Sequence, residues 1–138
     1  MDIIFSANNR AEIMIIPVVP PDIAVEQTQA NETYTGLSMD LNIIGNLGLR
    51  TLELSSFFPV NKNYRFVKAN SNSDGWAYVD FFNRWRAKKV PIRIVITESN
   101  GTERLNMACT VDNFAYSVNK ANDIIYSLSL REYVFVVV

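Results

Sequence analysis

Fourteen carboxylates, thirteen lysines and arginines, one cysteine and no histidine make up most of the titratable material of this 138-residue sequence. Two carboxylates held roughly 5 to 10 Å apart can hydrolyse a glycoside, but the acidic residues are scattered and no spacing puts two in one cleft. Without histidine there is no Ser-His-Asp or Cys-His site, no imidazole metal ligand and no imidazole acid–base catalyst. A single cysteine excludes an internal disulfide framework and any multi-cysteine zinc site. Cys109 falls on the apolar side of an alternating segment (Leu105, Met107, Cys109, Val111), where a thiol packs as a small hydrophobe. Gly45-Asn46-Leu47-Gly48 has glycines enough to grip a phosphate, yet no helix or lysine follows, so it reads as a turn. No catalytic, cofactor or metal residue is assigned.

Binding is the chemistry left. Phe57 and Phe58 precede Pro59, and two adjacent aromatics in an extended chain point to opposite faces, so one must be covered by something else. Val134, Phe135, Val136, Val137 and Val138 are five consecutive apolar residues, a hazard unless buried in a central strand or against a neighbouring chain. These seven, with Tyr64 and Arg65, are the candidate partner-contact residues. Arg84, Arg86, Lys88 and Lys89 gather where a helix would end, and there they complement its dipole.

The elements that must carry these residues are mostly strands. Residues 13–19 read as a strand that Pro17 confines to an edge or terminates. Ile23 and Val25 open a short strand, the polar stretch 27–36 reads as a loop or hairpin connection, and Leu41, Ile43 and Ile44 form another strand. Leu52 and Leu54 alternate with polar neighbours. Residues 68–75 form a loop ending in Ser73 or Asp74 as helix cap. The spacing of Tyr78, Phe81, Phe82 and Trp85 predicts one helix over 76–89 with an aromatic face, stopped by Pro91. Strand 92–97 leads through Asn100-Gly101, a strong hairpin turn, to a long strand. The break between Val111 and Phe114 marks a bulge or bend. A last strand alternates Ile124, Tyr126, Leu128 and Leu130. This predicts one mainly β (α+β) domain over 1–138: an antiparallel β sandwich or split barrel with one packed helix.

Near-neutral charge, −1 overall, argues against direct reading of nucleic acid. The longest apolar run has seven residues where a membrane span needs about twenty, so no membrane insertion is expected. Residues 1–10 do not read as a secretory signal, and the two Asn-X-Thr triplets at 31–33 and 100–102 are then chance matches. With 49% hydrophobic and 20% charged residues, the chain can hide surface against other subunits.

Ile16-Pro17-Val18-Val19-Pro20-Pro21, the stretch from Leu49 through Ser55-Ser56-Phe57-Phe58-Pro59, Tyr78 to Trp85, Val111 to Tyr116 and the strand Tyr126-Ser127-Leu128-Ser129-Leu130-Arg131-Glu132-Tyr133 resemble the N-terminal region of a Gram-positive phage tail family. That family belongs to PBSX-like prophages, contractile phages and phage-tail-like bacteriocins, and usually carries a LysM module. The LysM module has no counterpart in these 138 residues, so contacts made through it are not carried over. The resemblance implies a tail-tube-like fold and a non-enzymatic structural adaptor at the baseplate or tube–baseplate junction. It also implies six-fold rings of copies of this chain, tail tube and baseplate proteins as partners, and a place in a virion or tail-like particle after synthesis in the bacterial cytoplasm. The alternative is a cell-surface or carbohydrate-binding module at the tail tip, stacking sugars on Tyr34, Tyr64 and Trp76.

Overall fold

The computed structural model describes residues 1–62 and 64–136, and among these described residues there are nine strands and one helix. In order they are β1 (Asp2–Ala7), β2 (Glu12–Ile15), β3 (Ala24–Gln29), β4 (Glu32–Thr35), β5 (Asp40–Ile43), β6 (Leu47–Phe58), α1 (Gly75–Ala87), β7 (Ile92–Thr97), β8 (Glu103–Val118) and β9 (Ile124–Glu132). Seven strands form one antiparallel sheet in the order β2-β1-β7-β8-β9-β6-β3, and β4 and β5 pair separately. The mainly β, antiparallel reading with one packed helix holds.

Alternation makes the core. In register, Ile3 and Phe5 on β1 face Ile96 and Ile94 on β7, which face Leu105 and Met107 on β8. Leu52, Leu54 and Phe58 on β6 pair with Leu130, Leu128 and Ile124 on β9. Paired residues share a face of the sheet, and all of these are buried in one cluster. The break in the long strand is a bulge at Asp112, where the β8–β9 register shifts between Val111 and Asn113. The extra residue switches parity, so Cys109 before it and Phe114 after it both point into the core.

The helix lies over this apolar face. Asp74 caps it, its side chain accepting from the N–H of Trp76 at 3.1 Å. Tyr78, Phe81, Phe82 and Trp85 are buried, at roughly 1.5 to 3 kcal/mol for each such side chain. Phe82 meets Phe5 edge-on at 5.0 Å, and Tyr78 stacks on Phe58 at 4.7 Å. At its other end, the Arg84 guanidinium and the Trp85 indole N–H both donate to Glu12 of β2.

The sheet curls around that helix. Four strands separate β2 from β6 in the sheet order. Even so, the Ser56 hydroxyl at the end of β6 donates to the Val18 carbonyl just beyond β2, at 3.0 Å. The Lys68 N–H donates to Pro17 O at 2.9 Å. Pro17 ends β2, which is also an edge strand, as its lost N–H requires.

Three sequence readings need correction. Residues 2–7, unassigned from sequence, are β1, turning through Asn8, Asn9 and Arg10, all at positive φ. The polar stretch 27–36 is mostly strand, holding the end of β3 and all of β4. Both faces of that ladder lie in solvent, so its composition mimics a loop. Gly45 to Gly48 is not a turn: the pairing runs on through it, Ala30 N–H donating to Asn46 O at 2.9 Å and Gln29 lying opposite Leu47.

Candidate interaction surface

β3 with β4, and β5 with β6, form one long two-stranded arm. Its base belongs to the sheet; beyond Gln29 and Leu47 it continues through the separate β4–β5 ladder to a tip at Gly36 and Met39. A joint links the two ladders. There Asn31 Oδ1 accepts from Gly45 N–H at 2.9 Å, and Gln29 Nε2 donates to Gly45 O at 2.9 Å.

The arm has two unlike faces. Thr33 opposes Asn42 and Thr35 opposes Asp40, a polar side. Tyr34 opposes Leu41 and Glu32 opposes Ile43, and Tyr34, Leu41 and Ile43 remain 60%, 49% and 50% exposed. An isolated two-stranded hairpin is marginal in water without a covered apolar face. Sequence reasoning placed a strand at Leu41 and Ile43 but did not name the arm as a contact surface. Its signal was available in the apolar positions Tyr34, Leu37, Met39, Leu41 and Ile43 inside an otherwise polar stretch.

The expected contact residues divide. Phe58 is fully buried, stacked between Tyr78 and Tyr126 at 4.7 and 4.0 Å, so it cannot touch a partner. Phe57 points to the other face and meets Tyr64 and Phe66 edge-on, both at 6.0 Å. Phe57 is therefore covered largely by its own chain. The Tyr64 hydroxyl donates to Asp123 Oδ2 at 2.8 Å, with Arg65 exposed beside it. Asp123 also accepts from Val60 N–H and pairs with Lys62 at 3.1 Å. Burial alone would raise the Asp123 carboxyl, but the bonds from Tyr64, Lys62 and Val60 outweigh it and hold it below its usual range.

β9 ends at Glu132, and Tyr133 N–H donates to Ala108 O at 2.8 Å, one step past the ladder. Val134, Phe135 and Val136 then stay exposed, and Val137 and Val138 lie outside the described residues. The central-strand option for this run does not apply to the three described residues. Phe135 lines a cleft of about 530 Å³ with Ala7, Val90, Ile92, Arg10 and Arg93.

The three aromatics of the sugar-stacking alternative do not converge. Tyr34 is on the arm. Trp76, at the start of α1, meets Tyr116 edge-on at 6.1 Å, and Tyr64 lies beside Asp123. By register, Tyr116 and Asp123 are at the end of the sheet opposite the arm.

Chemistry elsewhere is muted. Burial pushes the Cys109 thiol up to about 12. Six carboxylates, Asp2, Glu12, Glu98, Asp112, Asp123 and Glu132, pair with Lys or Arg. Among the described residues no group of three or more Cys, Asp or Glu could hold a metal ion, and no helix is long and apolar enough to cross a membrane. The basic helix end is partly spent internally: Arg84 on Glu12, and Lys88 over the Trp85 ring at 4.5 Å.

No protein-family model matches the chain, and no curated protein matches it.

Proposed function

We propose that this chain is a structural, non-enzymatic component of a contractile phage tail or a phage-tail-like bacteriocin. It acts by protein–protein assembly, as an adaptor ring at the baseplate or at the tube–baseplate junction. One observation carries the reading: the apolar face of the arm and the residues Val134, Phe135 and Val136 stay exposed while the core beneath the helix is complete. A chain with a filled core and uncovered apolar flanks is suited to completion by neighbours. The resemblance of the motifs around Phe57-Phe58-Pro59 and Tyr126 to Tyr133 supplies the kind of assembly. Its partners in this reading are copies of itself, with six-fold symmetry taken from the resemblance, and tube and baseplate proteins.

The sugar-binding alternative draws no support from the aromatics, which lie on separate surfaces. The test is incorporation into particles. A chain truncated after Tyr133 should fold and stay monomeric yet fail to enter assembled tails. Entry of that truncated chain into complete tails would remove the role given to residues 134–138. Absence of the full chain from purified tails would remove the adaptor reading itself.

A further inference from the structure

The two uncovered apolar features sit at one end of the sheet, on opposite flanks. Register gives a row across the strands: Ser6 faces Arg93, Arg93 faces Ala108, the next row joins Cys109 to Glu132, and Arg131 faces Thr51, which faces Glu26. The cleft lies just beyond this row on β1 and β7, with Val90 and the turn at Arg10 at its rim. The arm leaves just beyond the same row on β6 and β3. Across the strands they are separated by four to five strand spacings, roughly 20 Å.

Their charges are opposite. Between Ala24 and Glu53 the arm carries four carboxylates (Glu26, Glu32, Asp40 and Glu53) against one cation, Arg50, and Arg50 is already bound by Glu132. The cleft lining includes Arg10 and Arg93 and no carboxylate among the described residues, with Lys88 and Lys89 immediately before Val90. An acidic, apolar-faced projection and a basic-rimmed apolar recess stand at the same level on opposite flanks. In a copy set alongside, the recess of one faces the flank from which the arm of the next leaves.

We propose that the arm of one copy docks, apolar face inward, into the Arg10–Arg93 cleft of the next copy, giving a heterologous contact that repeats around a ring. This deepens the adaptor-ring reading and rests on it for the ring, though the contact itself needs only this chain. Tyr34, Leu41 and Ile43 cover the recess beside Phe135, and Glu32, which shares their face of the ladder, meets the arginines. Such attraction between partly exposed charges weakens with salt.

Two variants, each with one added cysteine, test it on the full chain: Ile43→Cys on the arm and Val90→Cys in the cleft, both at exposed positions. Native Cys109 is buried and does not compete. Mixed under oxidising conditions, the two variants should form a mixed disulfide dimer at least ten-fold more than either alone, and more than Ile43→Cys with Ser99→Cys. Glu32→Lys should lower self-association several-fold, and Arg93→Glu in the partner should recover it. Equal cross-linking in all combinations, an excess of the Ile43→Cys homodimer, or no recovery on charge exchange would overturn the proposal. The two readings fail separately. Cross-linking in solution by a chain that never enters tails would sink only the adaptor role; incorporation without the cross-link would sink only the arm-in-cleft contact.

Discussion

Glu132 holds both ends of one residue: its Oε1 accepts from the Arg50 backbone N–H at 3.0 Å and its Oε2 from the Arg50 guanidinium at 2.9 Å. The contact ties the base of the arm to the last residue of β9, directly before the exposed apolar run. The Arg50 side chain, then its N–H, hold the Glu132 carboxyl below its ordinary value of 4.5, against a smaller opposing effect of burial. Folding thus favours the ionised form. That stabilisation is present above the unfolded value and is lost as pH falls through the folded one. Glu132→Ala should cost about 1 kcal/mol at pH 7, because both groups are partly in water. The difference should narrow as pH falls from 7 toward 3, as urea denaturation at the two pH values would read; a gap of equal size at both would show that the charge plays no part.

Asp123 performs a similar task at the other end of the sheet, fastening the loop that carries Tyr64 to the turn before β9. Its carboxyl is also held low, so its contribution likewise fades in acid. Asp123→Asn should leave the core intact but free that loop. Limited proteolysis around residues 62–66 should then accelerate several-fold, with little change in near-ultraviolet circular dichroism. Unchanged cleavage would mean that the aromatic contacts of Phe57 and Phe66 hold the loop unaided.

Tyr126 presents the opposite case. Its ring stacks on Phe58 at 4.0 Å, but its hydroxyl is buried with no hydrogen-bond partner among the described residues. Burial pushes its ionisation well up. An unpaired buried hydroxyl costs about 1 to 3 kcal/mol of desolvation. Tyr126→Phe keeps the stacking and removes the orphan, so it should be neutral or raise the melting temperature. A loss of several degrees would reveal a partner for that hydroxyl.

How much of this could be read from sequence depended on whether a segment has one wet face and one dry one. The helix, β7 and β9 do, and their spans were legible to within two residues. The bulge at Asp112 was legible because parity changes across it. Phe57 and Phe58 were distinguishable too: Leu52 and Leu54 set even positions inward, which buries Phe58 and turns Phe57 out. The arm was legible as strand only in part, at the start of β3 and at Leu41 and Ile43 of β5, while the end of β3 and β4 were not. With water on both sides of β3 and β4, polar residues there obey the same rule as a loop, and the pairing of Gln29 with Leu47 leaves no hydrophobic trace. The cleft joins the β1–β2 turn, the start of β7 and Phe135, which lie too far apart in sequence for spacing to unite them.

Gly45 offers a way to separate the arm from the fold that carries it. A Cβ built there would lie 1.7 Å from Ala30 O, a backbone atom that cannot swing aside. The glycine therefore permits the close approach of the two strands at the joint, where Gly45 N–H reaches Asn31 Oδ1 and Gln29 reaches Gly45 O. Gly45→Ala must part the strands there and redirect the β4–β5 ladder. Because that ladder buries almost nothing in the core, the melting temperature should shift by no more than a few degrees. Self-association, read by sedimentation velocity across a concentration series, should nevertheless fall at least ten-fold. A variant that kept its association would show that the arm's direction does not matter to assembly, whereas one that unfolded would show that the arm is part of the stable unit and not an appendage to it.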